Sequence, residues 1–83
     1  MSKKIDKESL GYRLSKICFE LGLSKKEFGL KLNVVGSSVG RYFDNSREPQ
    51  YSFLHLLCTE LNVNPEYIFG MSEIMFKELK EEK

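Results

Sequence analysis

The side chains with the charge and reach for chemistry are Lys25, Lys26, Arg41 and Arg47, with Ser37, Ser38, Asn45 and Ser46 among them. These are hydrogen-bond donors. Lysine and arginine carry no acceptor, and arginine offers a planar fork of N–H groups. Within some twenty residues they form a set suited to an anionic polymer: the lysines to phosphate, the arginine fork to paired acceptors. Covalent chemistry is poorly provided for. No nucleophile, base and orienting group fall at a recognisable spacing, and no glycine-rich loop is built to cradle a phosphate. Cys18 and Cys58 lie inside apolar helical patterns and read as reduced thiols packed as small hydrophobes. With His55 as the single histidine and no Cys-x-x-Cys pair, no metal site is expected. The expectation is a chain that is not an enzyme and needs no cofactor.

The elements that must hold these donors are short helices. Residues 23–49 read as two helices joined by a tight turn and followed by a polar loop. Ser24 caps the first of the pair, about 25–32, and Glu27 three residues on completes a capping-box pattern. The second, about 36–43, has a start that is harder to fix. Val35 caps poorly, so Asn33 or Ser37 could take the role with a shifted start. Gly40 inside it costs about 1 kcal/mol relative to alanine. Asp44-Asn45-Ser46 is turn chemistry.

A helix pair of this length buries little alone, so other elements must support it. Leu10, Leu14, Ile17, Cys18 and Leu21 recur at helical spacing and predict a first helix over about 7–21, ended by Gly22. Pro49 suits the entry to a fourth helix over about 50–61, with Leu54, Leu57, Cys58 and Leu61 facing inward. Asn62–Asn64 break it, and Pro65 starts a short fifth helix to about residue 69. The expected architecture is all-α without strands. Residues 1–7 form a flexible arm, 8–70 the helix-turn-helix domain, and 71–83 either a sixth helix or a tail. Ile68, Phe69, Ile74, Met75 and Leu79 leave apolar surface near the C-terminus. Phe53, Phe69 and Phe76 belong to the core or to a dimer seam.

Eighty-three residues allow one domain with a small core. The net charge of +1 conceals an asymmetry. Residues 1–47 carry ten Lys/Arg against five Asp/Glu, and residues 48–83 carry three against seven. A basic half containing the helix pair suits a phosphate backbone, with the acidic half facing away. No apolar run approaches the roughly 20 residues that span a bilayer. No export signal follows the basic N-terminus, so no membrane association and a cytoplasmic location are expected.

Over about residues 9–70 the chain resembles the phage repressor/Cro, or XRE-like, helix-turn-helix family. The resemblance rests on Gly22-Leu23-Ser24, Lys31-Leu32, Ser38-Val39, Arg41-Tyr42, Arg47-Glu48-Pro49 and the run Leu61–Ile68, in order and at the right spacing. It implies a compact five-helix domain whose third helix enters the DNA major groove. By the same resemblance Gly36, Ser37 and Arg41 match positions that commonly reach base edges, and Ser38 shares their exposed face. Lys25, Lys26, Asn45, Ser46 and Arg47 would contact phosphates. The implied function is a homodimeric transcriptional regulator, a repressor acting by occupancy of double-stranded DNA. An antitoxin or restriction-modification controller of the same fold is an alternative. So is a protein-interaction module without specific DNA binding, which the small residues of the reading face favour.

The chain departs from the family at several positions. Val35 stands where serine or threonine usually caps the third helix, and Gly29 where alanine is usual. Cys18 and Phe43 occupy positions where an arginine and a glutamate are common. If the last two meet, an apolar contact replaces an ion pair.

Overall fold

The computed structural model of the chain describes residues 9–77. Five helices follow in order: α1 Leu10–Glu20, α2 Lys25–Leu32, α3 Gly36–Phe43, α4 Tyr51–Glu60 and α5 Pro65–Ile68. The expected all-α class is observed, and α2 and α3 begin and end where the sequence predicts. The arm at 1–7 and the predicted start of α1 at Lys7 lie outside the described residues. Among those described, Ser9 caps α1, its hydroxyl accepting from the Tyr12 amide.

Each helix ends for a reason visible in its residues. Gly22 takes a positive φ of 69° after α1. Asparagine does the same after the next three helices: Asn33, Asn45 and Asn62 have φ of 64°, 65° and 61°. Asparagine tolerates the left-handed region better than most side chains. Asn33 therefore closes α2 and does not cap α3. The expected alternatives, Asn33 or Ser37, give way to Val35, which holds the N-cap position without a side-chain hydrogen bond.

The core lies between α1, α2, α3 and α4. Leu14 and Ile17 of α1 meet Phe28 and Leu32 of α2, Val39 of α3, and Phe53 and Leu57 of α4, all buried. Three rings organise its centre. Phe53 stands edge-on to Phe28 at 6.2 Å and to Tyr42 at 4.8 Å between centroids. Ring pairs at these separations contribute beyond their buried area. Phe53 is thus a core residue. Phe76 packs half-buried against the core, while Phe69 is 62% exposed.

Arg13 is the buried exception, 4% exposed. Its Nη1 donates to the Tyr67 carbonyl at 3.2 Å, and its guanidinium lies 4.9 Å from the Tyr67 ring centroid. This joins α1 to α5 by a hydrogen bond and a cation–π contact.

Residues 71–77 do not form a helix. Asn64 donates its backbone amide to the Met75 carbonyl and its side-chain amide to the Ile74 carbonyl. Lys77 donates to the Asn62 carbonyl, and Asn62 returns a side-chain bond to Lys77. The segment is thereby laid antiparallel to 62–64, with Val63 and Phe76 bridged. These bonds satisfy the backbone groups that a sixth helix would have paired internally. Residues 78–83, including Leu79, lie outside the described residues. Ile68 belongs to the core, 2% exposed, which reduces the apolar surplus expected near the C-terminus.

Candidate nucleic-acid interface

The helix pair is positioned by one close crossing. A Cβ at Gly29 would fall on the carbonyl oxygen of Val34 and lie 3.2 Å from Cγ2 of Val39. Glycine here lets the turn after α2 fold directly over its own helix. Val34 then donates to the Gly29 carbonyl at 2.9 Å, which tightens the turn. At the other end of the crossing, a Cβ on Gly36 would stand 3.4 Å from Cα of Lys26. The start of α3 therefore rests against the start of α2.

That start is well fixed. Ser24 Oγ accepts from the Glu27 amide at 3.0 Å, and Glu27 Oε1 accepts from the Ser24 amide at 2.9 Å. The predicted capping box is present. Hydrogen bonding of the carboxylate by the Ser24 amide first, then by the Ser24 hydroxyl, with Lys31 adding to it, holds the Glu27 carboxyl below the usual glutamate range. Cys18 lies behind this turn, its thiol donating to the Leu23 carbonyl at 3.1 Å. Burial raises its pKa, the nearby Lys25 opposing in part, so it remains a neutral thiol. Phe43 packs on Phe28 with centroids 5.9 Å apart.

α3 divides cleanly into two faces. Val39 and Tyr42 are buried, Ser37 and Arg41 are exposed, and Gly36, Ser38 and Gly40 are half-buried between them. Among the predicted base-contacting residues, Ser37 and Arg41 are therefore the ones that present their side chains fully. Lys25 and Lys26 are exposed at the first turn of α2. Lys25 runs onto α3 itself: a Cβ at Gly40 would stand 3.6 Å from its Nζ. A methyl at Gly40 would make ordinary van der Waals contact with that ammonium, which lies over α3. This proximity, absent from the sequence-based assignment, brings the expected phosphate ligand beside the expected base readers.

The loop after α3 also presents its predicted residues, Asn45 among them. Ser46 and Arg47 are exposed, and both backbone amides donate to the Arg41 carbonyl. Asn45, exposed as well, also bonds within the chain. Its Oδ1 accepts from the Gly11 amide at 2.9 Å and its Nδ2 donates to Ser9 Oγ at 3.2 Å. It shapes the loop and ties it to α1. Gly11 and Arg13 were not singled out from the sequence. Arg13 could have been, since it falls three residues after Leu10 and four before Ile17, within the apolar stripe.

The arrangement can bind a polyanion and offer donors to a groove floor. Among the described residues, no cluster of His, Cys, Asp and Glu could hold a metal ion, and no helix is long and apolar enough to cross a membrane.

No family model matches the chain. It is similar to an HTH-type transcriptional regulator, ImmR, of Bacillus subtilis (strain 168), 32% identical over 69 residues. That match covers 83% of this chain and 54% of the relative, so the chain spans about half the relative's length. Its fold is similar to that of the P22 c2 repressor protein solved in complex with synthetic operator 9T. The TM-score is 0.69 at 19% identity, over 77% of this chain and 97% of that one. The sequence relative and the structural neighbour both support the phage-repressor-like resemblance drawn from residues 9–70.

Proposed function

The chain carries the helix-turn-helix fold of the phage-repressor (XRE) type, and on that premise we propose that it is a regulator of transcription that binds double-stranded DNA, as a dimeric repressor. The observation that carries this reading is the outer face of α3. It is short-chained apart from Arg41, presents Ser37 and Arg41 to solvent, and is flanked by Lys25, Lys26 and Arg47. A helix with that face can approach a groove floor closely, while the cations neutralise the phosphates on either side.

In this reading Arg41 reads base edges, with Ser37, Ser38 and the backbone at Gly36 beside it. Lys25, Lys26, Ser46 and Arg47 contact phosphates, and Asn45 sets the loop that presents Ser46 and Arg47. The P22 c2 repressor's complex with an operator supports a DNA partner for this fold. The name of the B. subtilis relative supports a regulatory role. Dimerisation is supported by energetics, because one module of this size makes a small interface and two half-sites multiply affinity. The exposed Phe69, Met71 and Ile74 supply apolar surface for it.

Selection of bound sites from random duplex DNA at stated salt tests the reading. The expected result is a two-half-site motif. Failure to enrich any sequence at low salt would overturn specific DNA binding and favour an interaction module.

A further inference from the structure

We propose that the outer face of α2, centred on Leu30, docks an acidic amphipathic helix of a partner protein, and that this partner and duplex DNA exclude one another. The docking surface stands on geometry and charge. The exclusion rests on the reading of α3 as a DNA-binding helix.

α2 buries Phe28, Gly29 and Leu32. Leu30 points the other way and is 69% exposed. A single exposed leucine needs no explanation, but Leu30 is not single. On one side it forms a groove of about 570 Å³ with Lys26, Asn33, Val34 and Val35. On the other it forms a second groove, of about 390 Å³, with Leu23, Glu27 and Lys31. Leu30 is thus an apolar ridge between two depressions, each with an apolar wall beyond it. That is the relief a helix fits when its apolar residues recur at i, i+4 and i+7, since they can seat on either side of the ridge.

The rims set the charge of the partner. Lys26 borders the larger groove and Lys31 the smaller, and both are exposed. Glu27, the one carboxylate of α2, is turned back onto the Ser24 amide at 2.9 Å. The charges that face outward uncompensated are therefore cationic. A second copy meeting this face with its own α2 would set lysine against lysine, which disfavours self-association here. An acidic helix would meet both ammonium groups with charge-assisted contacts while its apolar residues fill the grooves. The larger groove also includes Gly36, at the start of α3. Lys26 and Gly36 are among the residues that the proposed function turns toward DNA. A helix seated in the groove covers the start of α3 and takes up a lysine that the phosphates require. Such a partner antagonises DNA binding.

The test uses the full chain and a library of synthetic helical peptides. Leucines occupy one face at i, i+4 and i+7, and the flanking positions vary among glutamate, glutamine and lysine. The tightest binders should carry glutamate at the flanks, and an excess of duplex should displace them. Leu30→Ala should weaken the best peptide about tenfold, the effect of losing two to three buried carbons, and leave duplex affinity unchanged. Lys31→Glu should move the preference toward lysine-bearing peptides, a change that loss of packing alone does not produce. Both side chains are exposed, so both variants keep the fold. Peptide binding without a preference for acidic flanks would overturn the proposal, as would affinities that neither substitution alters. Peptide and duplex bound together would overturn the exclusion. Peptide binding with no duplex binding at low salt would remove the DNA-binding reading and leave the docking surface standing.

Discussion

The backbone amide of Gly11 donates to Oδ1 of Asn45 across 2.9 Å, joining the first turn of α1 to the turn that ends α3. The contact is close because Gly11 has no side chain. A Cβ there would fall on the Phe43 carbonyl oxygen and lie 2.6 Å from that of Tyr42. Asn45 holds its left-handed conformation in the same turn and reaches Ser9 with its other side-chain group. The far end of α3 is therefore clamped by α1, and the clamp controls how α3 and its loop are presented.

Gly11→Ala should destabilise the fold by about 1–3 kcal/mol, the range for overpacking a close contact. Asn45→Ala should cost about 1–3 kcal/mol by leaving the Gly11 amide unpaired and a non-glycine residue at positive φ. Urea midpoints of both variants check this. A midpoint for Gly11→Ala equal to that of the unaltered chain would contradict the clamp.

The sequence made the helix pair legible because its signals are local. Ser24 and Glu27 announce the capping box, and the spacing of Leu10, Leu14, Ile17 and Leu21 announces the apolar face of the helix that supports the pair. What stayed hidden depends on contacts distant in sequence. Asn45 looks like a free loop donor until Gly11, 34 residues away, comes beside it. Arg13 falls within the apolar stripe of α1, but its partner, Tyr67, is 54 residues away. Lys25 looks like a phosphate ligand alone until the fold lays its ammonium beside Gly40 of α3. The segment after Gly70 has helical spacing at Ile74 and Met75, but Asn62 and Asn64 capture its backbone first.

Gly29→Ala should be destabilising although alanine is a better helix former. The Cβ would meet the Val34 carbonyl and Val39, so the turn between α2 and α3 would have to shift. The expected cost is about 1–3 kcal/mol, and thermal unfolding with a check of duplex affinity measures it. An increase in stability would show that the turn relaxes freely.

Acid should loosen the start of α2. The Glu27 carboxyl is held below its usual range by its bonds to Ser24, so its ionised form favours the folded state. That contribution is complete above the pKa of glutamate in the unfolded chain and is lost as pH falls through the lowered native value. Glu27→Gln should be less stable than the unaltered chain at neutral pH, with the difference narrowing in acid. Denaturant titrations across that range provide the comparison, and a difference independent of pH would contradict the assignment.

Val35→Ser should stabilise the fold by about 1 kcal/mol, since the backbone is already in the capping conformation and the hydroxyl would reach a first-turn amide. Thermal unfolding tests this without DNA. A loss of stability would mean that Val35 packs more tightly than its exposure indicates.

The most direct test of α3 as a DNA-reading helix is the affinity of Arg41→Ala and Lys25→Ala for a selected duplex and its single-base variants over a range of salt. Arg41→Ala should relax preference at one base pair in each half-site and cost about 1–3 kcal/mol there. Lys25→Ala should weaken binding to all variants about equally and flatten the logarithmic salt slope by about one unit. If Arg41→Ala lowered every affinity alike and left the pattern of preferences intact, Arg41 would be a backbone contact. If the unaltered chain bound no duplex at low salt, the reading of α3 as a DNA-reading helix would be contradicted.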